Sequence, residues 1–256
     1  MKFVVTGHTS PIGKLLVAKL LGMGHAVQEI GRYSGTQWCL GEKIPDSAQG
    51  DILVHLAHDR TRSTEQAKND CKIILQSFTG FTIFLSSTSA HSRSKSIYGQ
   101  SKYFTEQMFV ESGGAVIKSG LICGPVENNL LTKIFKILSK FRFIVLPYSG
   151  NSRIFVSHSS DLLEEIIHIS MARISGVTRG FSLVPTSLYQ ITKQVPINRQ
   201  VFIIKMPGTA LSSLLIKLLK ILFPKNDGVD SLMSLVHEIE IQDIILMHSP
   251  KTNFRI

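Results

Sequence analysis

The sequence predicts an α/β protein: a doubly wound parallel sheet followed by a small mixed lobe. Three observations carry this prediction. Short apolar runs alternate with segments of helical periodicity through the first half of the chain. The runs are apolar throughout rather than every second residue, as strands buried on both faces of a parallel sheet must be. A glycine-bearing turn separates the first run from the first helical segment, which is how a βαβ unit opens.

In chain order, strands are expected at Lys2–Thr6, Ala26–Ile30, Asp51–Leu56, Thr82–Ser86 and Ala115–Ser119. Helices are expected at Pro11–Leu21, Ser63–Gln76 and Ile97–Val110. After about Gly124 the pattern loses regularity. A sheet core is therefore placed at residues 1–125, with strand and helix contributions from about 150–185. Residues 126–256, including the segment Asn128–Phe141, are assigned to a small mixed lobe. No internal repeat, low-complexity tract or Pro/Ser-rich linker interrupts the chain.

Composition excludes several classes. The 256 residues are 43% hydrophobic and 18% charged, which is too apolar for a disordered chain and long enough to bury a substantial core. Three cysteines, Cys39, Cys71 and Cys123, are odd in number and widely spaced, so neither a disulfide framework nor a zinc site is expected, and they read as thiols of a reducing, cytoplasmic compartment. Lys2 precedes an apolar stretch, but Gly7, Ser10, Pro11 and Gly13 break it too soon for a secretion signal. The longest later apolar run, Ala210–Phe223, is interrupted by Lys217 and Lys220 and ended by Pro224. It is too short to span a bilayer and reads as a core-facing helix, with peripheral membrane contact as the alternative. The net charge of +10 and pI near 9.6 favour anionic ligands. The basic residues are scattered, without a basic block or a nucleic-acid motif, so nucleic acid is not an expected partner.

The first motif is Thr6-Gly7-His8-Thr9-Ser10-Pro11-Ile12-Gly13, between the first strand and first helix. Gly7 permits a tight turn, Gly13 permits close packing of helix on strand, and Pro11 suits a first helical turn where its missing N–H is not needed. The free N–H groups of such a turn face a pyrophosphate. At the end of the second strand stand Glu29-Ile30-Gly31-Arg32. An acidic residue there accepts from a ribose 2′-hydroxyl and a basic one receives a 2′-phosphate; with Gly31 and Arg32 in place, NADP is favoured over NAD. The third of these strands leads to Leu56 and the small residue Ala57. His55 and His58 beside them read as packed or hydrogen-bonding side chains rather than bases. The most specific signal is Tyr98-Gly99-Gln100-Ser101-Lys102 on the helix after the strand Thr82–Ser86. Helical spacing puts Tyr98 and Lys102 on one face, and a nearby ammonium is what a phenol with an ordinary pKa near 10 needs for proton exchange close to neutral pH.

Together these motifs resemble the extended short-chain dehydrogenase/reductase superfamily, specifically its NAD-dependent epimerase/dehydratase family, whose members open with TGxxGxxG. Gly7 and Gly13 match that pattern, and Ser10 replaces its middle glycine. The resemblance implies a Rossmann fold that binds NAD(P) through Gly7, Thr9, Ser10, Pro11, Ile12, Gly13, Arg32, Leu56, Ala57, Tyr98 and Lys102. It implies a catalytic set of Ser87, Tyr98 and Lys102, with Ser87 and Thr88 on the substrate oxygen. Lys118-Ser119-Gly120-Leu121-Ile122-Cys123-Gly124-Pro125 is similar to the family's RPxxvyGP segment. Gly150–His158 with Asp161 is similar to a segment of sugar-nucleotide enzymes whose arginine, here Arg153, contacts a nucleotide diphosphate. One departure stands out. Thr88–Ile97 is shorter than the family's substrate-binding loop, and its His91, Arg93 and Lys95 read either as phosphate contacts or as solvated side chains.

The function so implied is an NAD(P)-dependent epimerase or ketoreductase acting on a sugar, nucleotide-linked, with homodimers common in the superfamily. A dehydratase is disfavoured, because Thr88 and Ser89 stand where the family's dehydratases carry an acidic pair. The alternative is a non-catalytic, NADP-binding Rossmann sensor or scaffold protein, favoured by Ser10, Gly31, Lys118 and the short loop.

Overall fold

The computed structural model describes residues 1–94, 96–124, 143–146, 153–187, 189–190, 193 and 202–205. Lys95, Asn128–Phe141, Gly150–Ser152 and the apolar run Ala210–Phe223 lie outside the described residues. Two compact units are present, one built from Met1–Asn129 and Phe155–Val184, the other from Leu130–Ile154 and Pro185–Ile256.

The first unit contains a seven-stranded sheet. Its strands are β1 (Lys2–Thr6), β2 (Ala26–Gly31), β3 (Thr36–Gln37), β4 (Ile52–His55), β5 (Phe81–Ser87), β6 (Ala115–Ser119) and, after β7 (Leu121–Cys123), β8 (Phe143–Leu146), β9 (Arg153–Ile154) and β10 (Val156–His158), β11 (Gly176–Arg179). The order across the sheet is β11-β6-β5-β4-β1-β2-β3, and every neighbouring pair is parallel. This is the Rossmann-type doubly wound sheet that the alternating pattern predicts. Parallel neighbours require crossovers, and three helices supply them between β1 and β6: α1 (Pro11–Gly22), α2 (Thr64–Ser77) and α3 (Ile97–Glu111). A fourth helix, α4 (Ser159–Ala172), precedes β11.

Local sequence explains where the helices begin. Ser10, Ser63 and Ser96 each hold an extended backbone and accept the N–H three residues on, which satisfies one of the donors that a helix start leaves unpaired. Ser63 and Gln66 complete a reciprocal capping box. Along β1, Phe3 and Val5 face the helices on one side of the sheet with Leu16, Leu20, Leu162 and Ile166. Val4, between them, faces Ile30, Leu53, Ile74 and Trp38 on the other. The period of two thus divides one strand between two cores.

β7 and β10 form a separate parallel pair in the first unit. In the second unit, β9 pairs antiparallel with β12 (Thr186–Ser187), and β8 pairs parallel with β13 (Phe202–Lys205).

Candidate active site

In an open parallel sheet, ligands bind beyond the carboxyl ends of the strands where the connections change direction. Here that point lies between β1 and β4, and Thr6, the last residue of β1, ties the two strands together. Its hydroxyl receives the N–H groups of Leu56 and Ala57, each at 3.2 Å. It has one proton left to give, and His55 Nδ1 lies 2.9 Å away. The hydroxyl therefore donates to Nδ1, and the neutral His55 carries its own proton on Nε2. Burial, with Lys102 nearby, holds His55 down to about 3. Its ring packs parallel to Phe84 and Phe109 and edge-on to Trp38. It is a core histidine.

Gly7 follows with a φ of +67°, and a side chain there would lie 2.7 Å from the Ala57 nitrogen. Gly13 is equally confined, since a Cβ on it would stand 2.4 Å from the Gly7 carbonyl oxygen. Glycine is thus required at both positions, by backbone conformation and approach at Gly7 and by packing at Gly13. Ser10 has a local explanation. Its hydroxyl accepts the Gly13 N–H at 3.1 Å, so the side chain that replaces a glycine caps α1 and occupies one of the donors that would face a phosphate. Thr9 and Pro11 are exposed at the tip of the turn, while Ile12 packs into the core.

At the end of β2, Gly31 leaves a space that His8 fills. The His8 ring carbon comes within 3.1 Å of where a Gly31 side chain would start, and its Nε2 lies 3.6 Å from the Glu29 carboxylate. His8 Nδ1 is buried without a hydrogen-bond partner. Arg32 is exposed, with its guanidinium 5.7 Å from the centre of the Tyr33 ring.

α3 delivers Tyr98 and Lys102 to the same region. The Tyr98 ring is half-buried and meets His58 edge-on at 4.9 Å, with the Arg60 guanidinium 4.8 Å above its face. The Lys102 ammonium lies 5.8 Å from the centre of that ring and 4.6 Å from that of Phe84. It donates to the Leu85 carbonyl at 2.6 Å. Only 5% of Lys102 is exposed. Burial lowers its pKa to about 7, with Glu106 opposing the fall and Arg60 adding to it. Burial also lowers His58, to about 2, with Lys102 contributing.

Ser87 ends β5 and accepts from the Ser89 hydroxyl at 2.8 Å and from the Ser89 N–H at 3.3 Å. Thr88 is buried and its N–H donates to the Ser119 carbonyl at 2.8 Å. The short connection after it is packed, not solvated throughout. Ser89, Ala90 and Ser94 are buried, His91 is half-buried and Arg93 is exposed. Gly99 makes this packing possible, because a Cβ there would fall 2.0 Å from the Ser94 hydroxyl and 2.4 Å from the Ser89 carbonyl oxygen. Lys118 pins the turn from β6. Its ammonium donates to the Ala90 carbonyl at 2.6 Å and meets the Glu106 carboxylate at 3.0 Å.

The structure thus brings Gly7, Ser10, Gly13, Ala57, Tyr98 and Lys102 to the strand ends of one unit. Arg153 belongs to the other unit, where its backbone pairs with Ser187, and its side chain lies outside the described residues. Sequence reasoning missed His8, Thr6, His58 as a neighbour of Tyr98, Arg60, and Glu106. Of these only Glu106 had a visible signal, at the i+4 position from Lys102. Among the described residues, no group of three or more His, Cys, Asp or Glu is arranged to hold a metal, and no helix is long and apolar enough to cross a membrane.

Neither a protein-family model nor a curated protein matches the sequence. Solved structures do. The dTDP-4-dehydrorhamnose reductase of Bacillus anthracis, in complex with NADP, is 14% identical, with a TM-score of 0.67 over 82% of this chain and 86% of that one. The UDP-glucose 4-epimerase of Thermus thermophilus, in complex with NAD, is 14% identical, with a TM-score of 0.62 over 81% and 87%. The dTDP-glucose 4,6-dehydratase of Bacillus anthracis, in complex with NAD, is 12% identical, with a TM-score of 0.63 over 81% and 85%. With its sheet order and its glycine turn, the chain has the fold that this reductase, epimerase and dehydratase share.

Proposed function

We propose that this chain is an NAD(P)-dependent epimerase or ketoreductase acting on a sugar, nucleotide-linked, in which Ser87, Tyr98 and Lys102 move the proton. The observation that carries the reading is a buried ammonium, Lys102, 5.8 Å from the ring of a half-buried tyrosine at the ligand-binding end of a doubly wound sheet. The residues present fit a dinucleotide. Gly7 and Gly13 keep the turn free of side chains where a pyrophosphate approaches, and α1 presents its N-terminus there. Gly31 and Arg32, with no carboxylate at that position, favour the 2′-phosphate of NADP. The solved relatives in complex with NADP or NAD support cofactor binding of this kind.

When bound, the nicotinamide supplies hydride acceptance and donation at a carbinol carbon. The chain's own part is proton management. Tyr98 Oη takes the proton of a substrate hydroxyl or returns it to a carbonyl, Lys102 stabilises the phenolate by its charge, and Ser87 Oγ holds the same substrate oxygen. Resemblance assigns Arg153 to a nucleotide diphosphate. A second reading, a dinucleotide-binding sensor without turnover, draws on the His8 ring over Gly31 and on the Ser10 cap.

The test is titration of NADPH and NADH fluorescence with the wild-type chain, Arg32→Ala and Tyr98→Phe, followed by turnover on a panel of UDP- and dTDP-sugars. Selective loss of NADPH affinity in Arg32→Ala, with turnover lost in Tyr98→Phe, supports the enzyme. Binding without turnover on any sugar supports the sensor, and failure to bind either dinucleotide overturns both.

A further inference from the structure

Tyr98, Lys102 and Glu106 follow one another at intervals of four along α3, so all three lie on one helical face. Glu106 is 2% exposed. A buried carboxylate is costly unless it is paired. Its Oε2 meets the Lys118 ammonium at 3.0 Å. The Ser86 hydroxyl and, one turn back on the same helical face, Lys102 also favour its charged form.

We propose that Glu106 is a positioning residue of the candidate site: its buried carboxylate holds Lys102 in the charged form beside Tyr98, and through Lys118 it clamps the turn after Ser87 onto α3. The proposal rests on the reading of Tyr98 and Lys102 as the proton-transfer pair. Its geometry is closed by Lys118, which reaches from β6 to both Glu106 and the Ala90 carbonyl. One carboxylate thus links the element that carries Ser87 to the helix that carries Tyr98 and Lys102.

The groups that face Lys102 weigh mostly against its charge. His55, His58 and Arg60 approach from β4 and the segment after it, Arg60 as a cation. β5 offers the Leu85 carbonyl and the Phe84 ring. α3 offers Tyr98 and Glu106. Of these, Glu106 is the carboxylate, and its attraction opposes desolvation. Burial in turn raises the Glu106 pKa, which Lys118, the Ser86 hydroxyl and Lys102 resist.

The deciding measurement is the titration of the Lys102 ammonium in the free, full-length chain labelled with ¹⁵N-lysine, its resonance assigned by Lys102→Arg. The wild-type midpoint is expected near 7. Glu106→Gln, which keeps the shape and removes the charge, should lower that midpoint by about one pH unit or more. Glu106→Asp, which keeps the charge, should hold the midpoint closer to the wild-type value, and Glu106→Met, which also removes the charge, decides the matter if the glutamine variant fails to fold. A purely structural Glu106 would change thermal stability and leave the midpoint where it was; a folded Glu106→Gln or Glu106→Met chain with the wild-type midpoint overturns the proposal. Failure of the enzymatic reading is separate, since it shows as absence of dinucleotide binding by the wild-type chain.

Discussion

The His8 imidazole stands where a side chain at Gly31 would begin, 3.1 Å from the position of its Cβ. The two residues come from the ends of neighbouring strands, and together they set the shape of the space at the tip of β2. Gly31→Asp would force the ring aside and place a carboxylate where a ribose 2′-hydroxyl donates and a 2′-phosphate is repelled. Its preference for NADH over NADPH should rise about tenfold or more relative to the wild-type chain, roughly 1.4 kcal/mol. Parallel fluorescence titrations check this. An equal change for both dinucleotides would mean that position 31 does not read the ribose.

Lys102 makes the fold less stable at neutral pH and is needed for the proposed chemistry. Its folded pKa, about 7, lies below its ordinary 10.5. Between those values the unfolded chain binds a proton that the folded chain does not, so the cost is full below about 7 and is relieved as pH rises toward 10.5. Lys102→Met should raise stability in urea at pH 7 by about 1–4 kcal/mol, while lowering turnover by a factor of about 10² or more. Tyr98→Phe should lower turnover comparably without the gain in stability. A Lys102→Met chain that is no more stable than wild type would show that the buried ammonium is better compensated than its surroundings indicate.

His55 and His58 work in the opposite pH range. Both are held well below the ordinary 6.5, to about 3 and about 2 respectively, chiefly by burial. The stability they confer is present above 6.5 and is lost as pH falls through that value toward 3, because only the unfolded chain takes up the protons. Urea midpoints should fall steadily over that interval. In His55→Gln the starting value should be lower, by about 1–3 kcal/mol for the lost packing, and the slope shallower. An unchanged slope would place the acid sensitivity elsewhere.

Ser10 serves the helix at the expense of the ligand. Ser10→Ala should lose the cap and about 1 kcal/mol of stability, whereas Ser10→Gly should lose only a few tenths. The glycine variant also frees the Gly13 N–H, so its affinity for either dinucleotide should increase several-fold in calorimetry. Weaker binding by Ser10→Gly would show that the serine hydroxyl itself contacts the phosphate.

Much of the sheet was legible because strands buried on both faces leave compact apolar runs. The observed β4 and β5 differ from the expected ranges by one residue at each end, and α1, α2 and α3 begin or end within a residue of theirs. β3 was not legible, and β11 was expected only as a strand contribution somewhere within about 150–185. Thr36–Gln37 and Gly176–Arg179 are short, partly exposed edge segments, and their pairing is set by the strands already present. The packing of the turn after Ser87 was not legible for a different reason. Thr88, Ser89 and Ser94 are buried there, and composition does not distinguish small polar side chains satisfied inside a protein from those satisfied by water. The contact of His58 with Tyr98 joins residues forty positions apart, a pairing only the fold creates.

The first unit is discontinuous in sequence: it uses Met1–Asn129, leaves the chain for one excursion, and resumes at Phe155. During synthesis, the residues up to Cys123 can emerge with β6 as a bare strand edge and without Leu162, Ile166 and Ile169, which complete the core beneath the sheet. Such an intermediate exposes both an unpaired strand and an apolar face, the two features most prone to association. Stable folding of the first unit must therefore wait until β11 has left the ribosome, and the excursion between Leu130 and Ile154 is made before the unit it interrupts can close.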